Sequence, residues 1–146
     1  MASVAGVIAE FVGRDLLKYS DEVIVENGGD IFIKSKKKRI LGIYAGNSPI
    51  SNKLAIEIEG EKTPLGICTS SATVGPSLSF GKTDATVIVS KSAALADACA
   101  TAIGNRVKEP GDIKSALEFA KKIKGVQGIL IIFRDKLGAW GDIKIV

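Results

Sequence analysis

The chain has 146 residues, 46% hydrophobic and 25% charged, with sixteen glycines, 5% aromatics and a formal net charge of +4. That length and composition fit one globular domain with an aliphatic core, and the absence of histidine excludes imidazole catalysis and zinc sites that use it. The excess positive charge lies in two runs, residues 34–39 and 121–124, with neither exposed aromatics nor a reading motif; nucleic acid is not an expected partner, and the runs read as a hairpin tip or loop and a helix C-terminus.

Residues 2–12 are apolar but contain Glu10 and lack a basic leader, so they read as a helix and not as a signal peptide. Ser3 is placed to cap it, Val4, Val7/Ile8, Phe11 and Leu16 recur at helical spacing, and Gly6 and Gly13 leave room for close packing. A helix opening so near Met1 fits a piece of a longer architecture as well as a small natural domain. Strands are expected at 22–26, 31–34, 39–45 and 53–59, each rich in Ile and Val and bounded by turn residues or lysine. In the last, Leu54, Ile56 and Ile58 face one way while Glu57 and Glu59 face the other, as in a half-exposed antiparallel strand.

Residues 65–68 read as a short strand, followed from Thr69 to Ser77 by a run of small hydroxyl residues and glycines. A strand at 84–90 leads into a helix at 92–105, stopped by Gly104-Asn105, and a second, amphipathic helix at 111–124. Strands at 128–134 and 141–146, around a turn at Asp135-Lys136, close the chain. The longest apolar run, 128–133, is strand-sized, so no membrane segment is expected and the expected location is the cytoplasm. Cys68 and Cys99 stand far apart in apolar surroundings and read as free buried thiols. The element order predicts an α+β domain over 1–146, with mainly antiparallel sheets and helices packed to one side.

Three segments carry the polar chemistry. In the helix at 92–105 nearly every residue is small and apolar, and Asp97, Thr101 and Asn105 recur at i, i+4 and i+8, forming one stripe. That stripe reads either as a solvated face or as a site, since a carboxylate and a hydroxyl one turn apart supply two hard oxygens to Mg²⁺ or Ca²⁺. Glu26-Asn27-Gly28-Gly29-Asp30 reads as a type I′ hairpin turn; its glycines also let backbone N–H groups face an anion, with Asp30 beside them. Thr69, Ser70, Ser71 and Thr73 offer hydroxyls that suit a phosphate cradle or, equally, a loop at a sheet edge. Gly81-Lys82-Thr83 lacks the upstream glycine and helix of a P-loop and is rejected as one.

The runs AEFVGRDLL, VIVENGGDIFIKS, GIYAGNSP, GICTSSATVG, SLSFGKTDAT and SAALADACATAIGNRV occur in an order that resembles the ApbE-like superfamily, whose characterised members are FAD:protein FMN transferases. The closer resemblance is to an uncharacterised prokaryotic branch of it. The resemblance covers most of the chain up to about Val107 and implies a T-fold-like domain, the C-terminal part of a longer family architecture. It implies Mg²⁺ held by Asp97 and Thr101 with a backbone carbonyl near Val7. It also implies FAD or FMN bound by Asn27, Gly28, Gly29 and Asp30 with Thr69, Ser70 and Ser71, and Asp97 as the catalytic residue. Two departures stand against full carry-over. The N-terminal portion that builds much of the transferases' flavin pocket has no counterpart here, and the histidine they carry after the Thr-Ser segment is replaced by Val74-Gly75-Pro76-Ser77. Two functions are therefore expected: Mg²⁺-assisted binding of a flavin or other pyrophosphate-containing ligand, or Mg²⁺-dependent FMN transfer or FAD pyrophosphate cleavage. Either is expected in a homo-oligomer or with a partner chain.

Overall fold

A computed structural model describes residues 3–76 and 78–146, so Ala2 and Ser77, the ends of two expected segments, lie outside the described residues. Helix α1 spans Val4–Leu16, and strands β1 (Val23–Asn27), β2 (Asp30–Lys34), β3 (Arg39–Gly42) and β4 (Ala55–Ile58) follow. After a 3₁₀ turn at Gly60–Lys62 come β5 (Leu65–Ser70), β6 (Ala85–Ser90) and helix α2 (Ala93–Gly104). A second 3₁₀ turn, Pro110–Asp112, runs into α3 (Ile113–Lys121), and β7 (Val126–Phe133), β8 (Lys136–Gly141) and β9 (Lys144–Ile145) end the chain.

The strands form two sheets, one of six in the order β1-β2-β5-β6-β7-β8 and one of three in the order β3-β4-β9. Every pairing is antiparallel. The period-2 alternation of the central strands sorts their side chains to two cores. Cys68, Ile88, Ile129, Ile131 and Phe133 pack under α2 and α3. Ile31, Ile33, Ile67, Val87, Val89, Leu130 and Ile132 face the small sheet, where Ile43, Ile56 and Ile58 meet them. The six-stranded sheet is thus covered on both faces, which is why β6 and β7 are almost continuously apolar and buried. No helix of the described residues is long and apolar enough to cross a membrane.

Helix α2 forms as expected, with Ser92 as N-cap accepting from the Leu95 N–H. It lies unusually close to the sheet, because β5 presents Gly66 beneath it: a Cβ there would fall 2.2 Å from Ala93 Cα. Helix α1 differs from expectation in two ways. Ser3 holds the N-cap position without a side-chain cap bond, and the buried face consists of Gly6, Ala9 and Gly13. The larger residues Val4, Ile8, Phe11 and Leu16 are exposed. The reason is contact distance, since a Cβ at Gly6 would sit 2.5 Å from Ala93 O and one at Gly13 would run into the Phe32 ring.

Further boundaries move: β3 ends at Gly42, short of the expected 45, and α3 covers Ile113–Lys121 of the expected 111–124. Thr69 and Ser70, expected in a loop, are the last residues of β5, paired with Val87 and Thr86. The C-terminal strand expected at 141–146 is two elements: β8 pairs with β7 through a turn at Arg134-Asp135, and Gly141, at φ +88°, ends it. The chain then crosses to the small sheet, where Lys144 and Ile145 pair with Glu57 and Ile56. The first basic run lies between β2 and β3 and is largely paired off, with Lys36 on Asp21, Lys38 on Glu57 and Glu59, and Arg39 on Glu22. Both cysteines are free and buried.

Candidate functional site

The β1–β2 hairpin turns through Gly28 and Gly29, at φ +63° and +96°, the double positive φ of a type I′ turn that glycine alone adopts without penalty. Asn27 pairs with Asp30 across it. This hairpin brings Asp30 to the end of β2, opposite Cys68 of β5. Across the helical face of the sheet, α2 carries Asp97 and, one turn on, Thr101. Two carboxylates 67 residues apart in sequence thereby share the wall of one cavity of about 550 Å³, with Thr101 beside them, a volume typical of small-molecule sites.

The lining mixes polar and apolar residues. Gly28, Gly29, Thr69, Ser70 and Ser71 add to its polar part. Its apolar part includes Ile40 and Leu41 of β3, Ile43 and Tyr44 just beyond it, and Val74 and Pro76 from the loop after β5. That loop is held by its own hydroxyls: Ser71 Oγ accepts from the Thr73 and Val74 N–H groups, and Thr73 Oγ1 donates to Asp84 Oδ1. Of the sequence candidates, then, Gly28, Gly29, Asp30, Thr69, Ser70, Ser71, Asp97 and Thr101 are brought together. Asn27 does not line the cavity; its side-chain amide reaches back to the Ala5 carbonyl at 3.4 Å. Val7 stands in α1, one residue beyond the Gly6 that touches Asp97, and does not line it either. Asn105 leaves the stripe altogether: its Oδ1 accepts from Phe80 N at 2.9 Å and anchors the loop before β6.

Asp97 has a second engagement. Its Oδ2 accepts from the Gly6 N–H at 2.9 Å, and Gly6 is the third residue of α1, one of the four whose N–H has no partner within the helix. A side chain of α2 therefore caps α1, in place of Ser3. The service is returned: Glu10 of α1 accepts from Ala94 N at 3.2 Å and Ser92 Oγ at 3.1 Å, capping α2. Burial works against the Glu10 charge, but Arg14 and these two donors hold its carboxyl below the usual range.

Asp30 is the electrostatic anomaly. It is 7% exposed, and its Oδ1 is buried with no hydrogen-bond partner among the described residues, a condition native structures rarely leave uncompensated. Burial, and then the nearby charge of Asp97, push its carboxyl up from 3.8 to about 6. Burial also raises Asp97, against the pull of the Gly6 N–H, and raises the thiol of the fully buried Cys68 beside them, whose Sγ donates to Ala93 O at 3.3 Å. Two partly desolvated carboxylates and a hydroxyl, with an orphaned oxygen, are short of positive charge.

Among the described residues no three His, Cys, Asp or Glu side chains come together as a metal cage. The donor set nonetheless fits Mg²⁺, which commonly takes one or two carboxylates and completes its shell with water and the phosphates of a bound ligand. Sequence reasoning missed the apolar part of the lining. The alternation in Gly42-Ile43-Tyr44-Ala45, with Ile43 and Ala45 buried and Tyr44 turned out, was the available signal.

Comparison with known proteins identifies relatives of the chain. A family described as AbpE bacteria matches residues 1–143. A UPF0280 protein of Methanocaldococcus jannaschii is 47% identical over 98% of this chain and 60% of its own length. One from Methanocella arvoryzae is 45% identical over the whole chain, again 60% of its own length. The chain thus spans about three-fifths of the curated relatives it matches. The crystal structure of the ApbE protein of Thermotoga maritima superimposes with a TM-score of 0.69 at 18% identity, over 94% of this chain and 49% of that one. At that identity the likeness concerns the fold.

Proposed function

The chain belongs to the AbpE bacteria family and has an ApbE-like fold, and from that premise we propose that its cavity binds a flavin or another pyrophosphate-containing nucleotide together with Mg²⁺. The observation that carries this reading is that Asp30, whose Oδ1 is buried and without a partner among the described residues, lines a ligand-sized cavity together with Asp97. Asp97, Asp30 and Thr101 would hold the ion. A divalent ion there supplies neutralisation of phosphate oxygens that the two carboxylates would otherwise repel. The Gly28-Gly29 turn leaves the backbone open, since a Cβ at either position would meet nothing within 4 Å, so a phosphate group can approach the main chain closely. Ser70 and Ser71 line the same cavity, with hydroxyls of the right chemistry to hold phosphate oxygens.

Cleavage is the second reading, as FMN transfer to a protein hydroxyl or as hydrolysis of FAD. What favours it is that a divalent ion held at Asp97, in the lining of the cavity, would withdraw charge from the scissile phosphate and stabilise the departing one.

Isothermal titration with FAD, with and without Mg²⁺, tests the proposal. Binding that needs Mg²⁺ and is lost in Asp97→Ala is the expected result. Wild-type protein that takes up no FAD under any metal condition overturns it. Release of AMP or FMN from FAD by the wild type but not by Asp97→Ala would separate the second reading from the first.

A further inference from the structure

We infer that Tyr44 is the stacking platform for a planar ring of the ligand, so that the cavity selects ring-bearing pyrophosphates over inorganic pyrophosphate. This rests on the reading of the cavity given above. Tyr44 is the one aromatic residue among the described residues that line the cavity. It is 59% exposed, its hydroxyl makes no hydrogen bond and its ring no cation–π contact among the described residues, so nothing in the fold itself accounts for its side chain.

Its backbone, by contrast, is fixed. Ile43 N donates to Leu54 O and Ile43 O accepts from Asn52 N, both at 3.0 Å. On the other side, Ala45 N donates to Ser51 Oγ at 2.8 Å and Ala45 O accepts from Ser48 N at 3.0 Å. Ile43 and Ala45 are buried in the core between the sheets, and alternation then turns Tyr44 the opposite way. Gly46 keeps the segment close to the loop after β5, where a Cβ would lie 3.0 Å from Val74 Cγ2. An exposed ring on a doubly pinned backbone is a preorganised contact that gives up little conformational freedom on binding.

The lining combines the carboxylates and the glycine turn with Ile40, Leu41, Tyr44, Val74 and Pro76. A ligand that satisfies both has an anionic head and a flat apolar body, which describes a flavin or adenine nucleotide. It does not describe a sugar phosphate or free pyrophosphate.

The test compares wild type, Tyr44→Ala and Tyr44→Phe for binding of FAD, ADP and inorganic pyrophosphate, each with Mg²⁺, together with flavin fluorescence. Stacking on an aromatic side chain corresponds to roughly 5- to 100-fold in affinity. The expected result is that loss for FAD in Tyr44→Ala, near wild-type binding in Tyr44→Phe, and unchanged binding of pyrophosphate in all three. Quenching of flavin fluorescence in the wild type that is relieved in Tyr44→Ala is the accompanying signature. FAD binding equal in wild type and Tyr44→Ala overturns this inference and leaves the metal–pyrophosphate reading standing. Wild type that binds neither FAD nor pyrophosphate overturns both.

Discussion

Asp30 and Asp84 are buried to the same degree, each 7% exposed, yet they sit in opposite situations. Asp84 lies just before β6 and is fully employed: Oδ1 accepts from Thr73 Oγ1 at 3.1 Å and Oδ2 from Arg134 N at 2.6 Å. It ties the loop after β5 to the β7–β8 turn, and Ser48 Oγ adds a bond to Arg134 O at the same place. Asp30 has an oxygen with no partner and a second carboxylate close by. Burial alone therefore does not distinguish a structural aspartate from a functional one. What distinguishes them is whether the fold supplies the donors: Asp30 Oδ1 has none among the described residues, and the residue lines a cavity.

The comparison breaks most visibly at Asp84. Replacing it with alanine leaves the Arg134 N–H and the Thr73 hydroxyl without partners and is expected to destabilise the fold by about 3 kcal/mol, read as a lower denaturant midpoint. A loss below about 1 kcal/mol would mean these bonds are dispensable and the contrast is overstated.

At Asp30 the sign reverses. Asp30→Asn removes a poorly compensated charge and is expected to raise the stability of the ligand-free protein at pH 7 by about 1–2 kcal/mol, while weakening Mg²⁺-dependent ligand binding. The pH dependence follows from linkage. The folded-state carboxyl titrates near 6, above the ordinary 3.8, so its stabilising contribution is complete below 3.8 and is lost as pH rises through about 6. Wild type should lose stability relative to Asp30→Asn across that window, and ligand binding that needs Mg²⁺ should strengthen across it as the proton is displaced. Parallel stability profiles for the two proteins between pH 4 and 7 would show that Asp30 is compensated after all.

The smallest effect is expected at the helix caps. Glu10→Gln keeps the acceptor for Ala94 N but removes the charge at the start of α2 and the pair with Arg14, a loss of about 0.5–1 kcal/mol in thermal or chemical unfolding. An effect several times larger would indicate that the reciprocal capping of α1 and α2 works as a unit.

Much of this was legible in the sequence, for local reasons. The turn at Gly28-Gly29, the small-residue helix at 92–105 and the spacing of Asp97 and Thr101 are short-range signals, and the structure keeps all three. What was not legible depends on pairing at a distance. Nothing local to Asp30 says that Asp97 will lie near it, because that follows from β2 pairing with β5 and α2 crossing above them. Thr69 and Ser70 read as loop by composition, but the ladder with β6 overrides their propensity. Residues 141–146 read as one strand because Gly141 gives no warning that the chain will change sheets there. Likewise the apolar spacing of α1 marked a helix correctly and its buried face wrongly, since contact through glycine carries no hydrophobic signal.

The glycines under and beside α2 have one more consequence. The helix is seated at its N-terminal half on Gly66 and against Gly6, at separations that admit no methyl group, so the distance from Asp97 to the hairpin is gauged by atoms that are not there. A single added carbon at either position would act as a shim, tilting the whole rod and carrying its carboxylate with it. The tolerances of the charged wall are set behind it, by two residues that never see the cavity, and a screen confined to cavity-lining side chains would pass over the positions that calibrate it.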